Sequence, residues 1–151
     1  MPRLLIIHHS PTPLLLGLHA AALAGASADG IEGVDVHSLG ALDASFTDVE
    51  AADGVLLGTP ANLGYISGAL KHFFDTTYAA ALGTTRGLPF GAYVRGESDT
   101  TGAVAAIEKI TTGLEWRRVQ PVLAIEGARD DAADLVWELA ASIAATITSN
   151  A

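Results

Sequence analysis

Five short runs rich in Val, Ile and Leu punctuate this chain, and stretches of helical periodicity separate them. The runs are Leu4–His8, Gly33–His37, Gly54–Gly58, Phe90–Arg95 and Val119–Ile125. Strands alternating with helices specify an α/β fold with a parallel sheet, because parallel neighbours need a crossover and a helix supplies it. The helices have their own signals. Thr12-Pro13 reads as an N-cap followed by proline at the first helical position, where a missing N–H costs nothing. Ser67 caps a second segment, in which Leu70, Phe73, Phe74, Tyr78 and Leu82 share a face. A third runs from Ala103 to Leu114 with Val104, Ile107 and Ile110 in register. The last follows Asp130 and Asp131, with Leu135, Leu139, Ile143 and Ile147 at four-residue steps. Thr47–Ala52 has room for a turn or two.

Strand character orders the sheet. Leu4–Ile7 and Val55–Leu57 are continuously apolar, as central strands covered on both faces must be. Val34-Asp35-Val36-His37 alternates and suits a half-exposed edge. Pro121 sends the fifth run to the other edge, since proline cannot donate to a ladder. The expected order is 2-1-3-4-5, a doubly wound five-stranded sheet with helices on both faces. With 151 residues, half of them hydrophobic, one domain spanning residues 1–151 is expected.

Composition removes several functions. Eight Lys and Arg stand against 17 Asp and Glu, a formal net charge of −9, which disfavours nucleic acid and anionic membrane as partners. There is no cysteine, and so no thiolate metal site, iron–sulfur cluster or dithiol chemistry. Any redox chemistry must sit on a bound organic cofactor. Leu4–Ile7 is too short for a signal peptide or a membrane span, and a soluble cytoplasmic protein is expected.

In an open sheet of this order, ligands bind beyond the carboxyl ends of the strands, near the switch point between strands one and three. Three loops meet there: His8–Leu15, Thr59–Ser67 and Arg95–Thr101. A receiver-type acidic pair is missing, since His8-His9 and Thr59 occupy those places. The chain contains no G-x-G-x-x-G, no P-loop and no G-x-S-x-G motif. The first loop instead offers the hydroxyls of Ser10 and Thr12 in front of a helix N-terminus, a setting that holds phosphate without a cation. Pro11 and Pro13 withdraw two backbone donors from it. The alternative reading of Ser10–Pro13 is a capped turn and nothing more. The second loop is long, and Gly64 permits close approach to a flat ligand. In the third, Gly96 gives freedom, while Asp99 and Thr100 suit helix capping. His8 and His9 point to opposite faces of a strand and do not share a metal. His72 reads as solvated, and Trp116 and Trp137 as packing residues. No metal site and no catalytic side chain are expected.

The segment GTPANLGYISGALKHFFDTTY resembles the strand-three region of flavodoxin-like proteins, including the NAD(P)H-dependent FMN and quinone reductase group. HHSPTP is similar to their phosphate loop, and RGESDTTGA to the third flavin-contacting loop of small flavodoxins. The resemblance implies the flavodoxin-like fold and FMN as cofactor. It implies that His9, Ser10, Thr12 and the N–H groups near Leu14 and Leu15 hold the 5′-phosphate. Thr59, Pro60, Ala61, Asn62, Leu63 and Gly64 would line one edge of the isoalloxazine, with Tyr65 beside it. Gly96, Ser98 and Asp99 would approach its other side. Two features depart from the family pattern. Pro13 and Leu15 replace the glycine and last threonine of the phosphate loop, and Ser98 stands where many flavodoxins place an aromatic ring. The function implied is electron transfer to a redox partner protein, or NAD(P)H-dependent reduction of a small quinone-type acceptor, by a monomer or homodimer. The competing reading is a protein that keeps the fold, has lost FMN and acts in interaction or regulation.

Overall fold

The computed structural model describes residues 1–150. Strand β1 (Arg3–His8) leads into helix α1 (Pro13–Ala26), then β2 (Asp35–Gly40) and the short α2 (Phe46–Glu50). Next come β3 (Gly54–Asn62), β4 (Tyr65–Ile66), α3 (Gly68–Ala81) and β5 (Pro89–Gly96). The chain ends with α4 (Thr101–Gly113), β6 (Arg117–Arg118), β7 (Leu123–Glu126) and α5 (Ala132–Ser149). The parallel order is β2-β1-β3-β5, with β6 and β7 both pairing the outer side of β5. This is the flavodoxin-like doubly wound sheet, with β4 as an added hairpin strand and the fifth strand in two pieces.

The alternation of side chains along each strand builds two cores. Leu4, Ile6, Leu56 and Tyr93 face α1 and α5, while Leu5, Ile7, Leu57, Ala92 and Val94 face α3 and α4. Central strands therefore read as unbroken apolar runs, because neither face meets water. On the first side α1 and α5 approach so closely that a Cβ on Gly25 would lie 2.1 Å from the Trp137 carbonyl oxygen. Only glycine fits that crossing.

Three expectations shift. Leu82 is exposed, because the helix ends at Ala81 and the backbone turns extended at Leu82 (φ −63°, ψ 122°). On α5 the buried stripe carries Val136, Leu139, Ala140, Ile143, Ala144 and Ile147, and Leu135 lies at its margin. The fifth strand is interrupted at Pro121. Phe90 pairs with Arg118 but Tyr93 pairs with Leu123, so the edge strand carries a bulge where proline cannot donate. No helix among the described residues is long and apolar enough to cross a membrane.

Candidate cofactor site

Parallel register places three chain segments side by side at the carboxyl edge. His8 pairs with Gly58, and Gly58 pairs with Tyr93. Beyond that row β1 leaves into the loop His9–Thr12, and His9 N–H donates to Gly58 O at 3.0 Å, holding the loop against β3. Thr12 is the N-cap of α1, as expected, and its hydroxyl oxygen accepts from Leu15 N–H at 3.3 Å. Leu15 N–H is thereby occupied, and the Leu15 side chain lies in the core. Ser10, Thr12 and Leu14 N–H make no backbone hydrogen bond among the described residues. They stand in the first turn of α1 or just before it, where amide donors normally lack partners. The Thr12 hydroxyl keeps its own proton for donation.

The second loop is a hairpin. β3 continues through Thr59 and Pro60 to Asn62, then reverses so that Ala61 pairs with Ile66 and Asn62 with Tyr65. Leu63 and Gly64 form the turn with φ of 50° and 77°. Two left-handed residues are what a two-residue turn needs to match strand twist. Thr59, fully buried, anchors the base. Its hydroxyl donates to Pro60 O at 2.8 Å and accepts from Ser67 N–H at 3.1 Å. Ser67 in turn caps α3 by accepting from Leu70 N–H at 3.1 Å. The tip from Asn62 to Tyr65 is exposed, and the peptide groups of the turn lie outside the ladder. The hairpin seats directly on α4: a Cβ on Gly102 would lie 1.9 Å from Gly64 O.

The third segment folds back at Gly96, whose would-be Cβ is 3.1 Å from both Ala61 Cβ and Thr100 Cγ2. Glu97, Ser98 and Asp99 are exposed. Asp99 accepts from Thr101 N–H at 2.9 Å, which holds its carboxyl below the usual carboxylate range. Thr100, the expected second capper, donates instead to Glu126 at 3.3 Å. Arg95 donates to Gly127 O at 3.1 Å, tying this segment to the loop after β7, and to Glu97 of the same segment at 2.9 Å.

Sequence reasoning passed over the histidines as a group. His8 Nδ1 lies 2.7 Å from Ser10 Oγ, and its ring stacks on that of His19 at 3.7 Å with the planes 14° apart. His19 Nε2 is 2.7 Å from Ser38 Oγ on β2. Burial, then His19, then His9 push His8 down to about 4, and burial lowers His19. No spacing rule links a strand residue to a helix residue eleven positions later, so only the α1–β1 packing reveals the pair. His72 is exposed, Trp137 is partly exposed, and Trp116 is buried with its indole N–H on the Thr85 hydroxyl.

The segments bring His9, Ser10, Thr12 and Leu14 to one end of the edge. The hairpin tip and Ser98–Asp99 stand at the other, above the buried Thr59, Pro60 and Gly96. This is an open cradle. Two open hollows lie elsewhere: about 450 Å³ at the amino edge near Met1, Asp53 and Arg117, and about 560 Å³ between the bulged edge strand and Trp137. Neither adjoins the three segments. The donor set at α1 fits a phosphate ester, with free amides, hydroxyls and a helix N-terminus but no Lys or Arg in the loop. His9 Nδ1 is a further buried atom there without a partner. Among the described residues no cluster of His, Asp or Glu could hold a metal.

Comparison with known proteins agrees with the fold. The family model for NADPH-dependent FMN reductase matches residues 9–130. No curated protein matches the chain in sequence. Among solved structures, a flavodoxin from the domain Archaea superposes with a TM-score of 0.81 at 18% identity, covering 97% of this chain and 99% of the other. A flavodoxin, WrbA-like protein from Agrobacterium tumefaciens gives 0.76 at 15% identity over 100% of both chains. The two-electron reduced flavodoxin of Megasphaera elsdenii gives 0.78 at 20% identity, over 94% and 98%.

Proposed function

Since the chain belongs to the NADPH-dependent FMN reductase family, with FMN as its cofactor, we propose that the carboxyl-edge cradle holds that FMN and that the protein takes electrons from NAD(P)H and delivers them to a quinone-type acceptor. The observation that carries this reading is the convergence of three segments on the end of β3, one rich in free amide donors and two presenting exposed peptide edges.

Bound FMN supplies the hydride and electron transfer; the protein supplies binding, orientation and electrostatics. Ser10 and Thr12 hydroxyls, with the Ser10, Thr12 and Leu14 N–H groups, hold the 5′-phosphate at the positive end of α1. Leu15 contributes through the core that fixes α1, because its N–H serves Thr12. Pro60 and Ala61 set the floor beside the ring. Asn62, Leu63, Gly64 and Tyr65 offer it an amide side chain, turn peptides and an aromatic edge. Gly96, Ser98 and Asp99 approach from the β5 side. Ser98 does not stack, so one ring face stays open to a flat donor or acceptor. Donor and acceptor thus use the same face in turn, which removes the need for a separate nucleotide motif.

The test is NAD(P)H oxidation by the FMN-loaded protein, with and without a small quinone. Turnover that requires both FMN and quinone supports the reductase. Flavin held firmly with no NAD(P)H oxidation assigns the protein instead to electron carriage between protein partners.

A further inference from the structure

The phosphate loop itself carries no Lys or Arg, yet it adjoins two stacked imidazoles. We propose that His8 takes up a proton when a phosphate ester binds at Ser10, so that the His8–His19 pair makes its positive charge only in the loaded state. The inference rests on the FMN reading above.

Geometry carries it. Ser10 Oγ is 2.7 Å from His8 Nδ1, and that contact has two forms. With Nδ1 unprotonated, Ser10 spends its O–H on the imidazole and has no proton to offer a phosphate. With Nδ1 protonated, the ring donates to Ser10 Oγ, and the Ser10 O–H turns outward to the ligand. A phosphate oxygen at hydrogen-bond distance from Ser10 lies roughly 5 Å from the ring, close enough for a dianion to favour the charged imidazole. The stacked His19 ring, 3.7 Å away, limits the pair to one proton, because two cations at that spacing repel. Its Ser38 contact at 2.7 Å holds it flat against His8.

The groups facing His8 from each side are few. His9 is its chain neighbour, and His19 covers it from α1. From β3 and β5, the buried Tyr93 phenol lies across Gly58, the residue paired with His8, and burial keeps that phenol neutral. From the β2 side, Asp43 Oδ2 sits 3.3 Å from where a Cβ on Gly40 would be, and Gly40 also pairs with His8. On the far side of α1, Arg129 and Asp130 line a hollow with Leu14, Gly17 and Leu18, and Arg129 is paired with Asp131; the charged groups that act on His8 are His19 and His9. Without a ligand, burial, His19 and His9 hold His8 near 4, so the ring is neutral at neutral pH and ready to accept a proton.

The experiment is a histidine-resolved NMR titration of the full chain, free, with FMN and with riboflavin, which lacks the phosphate. The expected result is a His8 midpoint that rises with FMN from about 4 to above the ordinary imidazole value of about 6.5, a shift of more than two pH units, and does not move with riboflavin. As a second reading, FMN affinity measured between pH 6.5 and 5, between the free and loaded midpoints, should tighten as pH falls, by up to about tenfold per unit for one linked proton. In His8→Asn, whose amide still donates to Ser10 but cannot ionise, that slope should drop to what the phosphate's own ionisation gives. FMN that binds while the His8 midpoint stays in place overturns this inference alone, as does a slope unchanged in His8→Asn. FMN that fails to bind overturns both the inference and the function beneath it.

Discussion

Tyr93 and Gly58 show how narrowly single residues are fixed beneath the site. A Cβ on Gly58 would fall 2.3 Å from Tyr93 Cζ, inside a ring that is fully buried. Gly58→Ala is therefore expected to destabilise by about 3 kcal/mol, in the range for overpacking a rigid core, with a lower midpoint in chemical denaturation. Thr59→Val keeps the shape but removes the acceptor for Ser67 N–H. Leaving a buried donor without a partner costs about 1–3 kcal/mol, and the same denaturation experiment reads it. His8 adds a pH term. Its folded value of about 4 lies below the ordinary 6.5, so an unfolding chain binds a proton that the folded chain refuses. This stability is whole above 6.5 and is lost as pH falls towards 4. The ring is half-exposed, so solvent screening shrinks the effect. The expected outcome is a Tm of the cofactor-free protein that falls less steeply through this window in His8→Asn.

At the scale of elements, the β3–β4 hairpin is the part of the site the sequence hid. Its residues look like a long loop because Pro60 and the glycines mask strand character. The ladder is only two pairs long, and its register depends on Thr59 and Ser67, eight positions apart. The continuous apolar strands and the caps Thr12 and Ser67 were readable, because burial on both faces and N-capping are written locally. The break at Pro121 was readable only as an edge signal, since a bulge depends on the register of Phe90 and Tyr93 against it. The clasp between Arg95 and Gly127 O, and the imidazole stack, come from tertiary packing and leave no trace in spacing. Two substitutions probe the hairpin. Leu63 is fully exposed with φ 50°, so Leu63→Asn suits the backbone and should raise Tm slightly while weakening FMN binding through loss of an apolar edge. Gly102→Ala must lift the hairpin from α4, because the obstacle is Gly64's own backbone. Its expected signature is a larger loss of FMN affinity than of stability, seen by titration beside a melting curve.

The whole molecule presents an acidic exterior of net charge −9 around a site whose phosphate loop carries no Lys or Arg. Charge on this scale steers a basic partner and speeds encounter at low salt. Electron delivery to a basic protein partner should therefore slow as salt rises, whereas reduction of a neutral quinone should be nearly insensitive to salt. Stopped-flow measurements across ionic strength separate the two acceptor classes. Everything turns on whether this carboxyl edge, with two prolines in its phosphate loop and Ser98 in its third segment, retains the cofactor. An absorbance spectrum of the purified protein, taken after FMN is added and the excess removed, decides it. A flavin band that stays with the protein is the predicted result. A colourless protein would contradict the account and point to a fold kept for interaction rather than electron transfer.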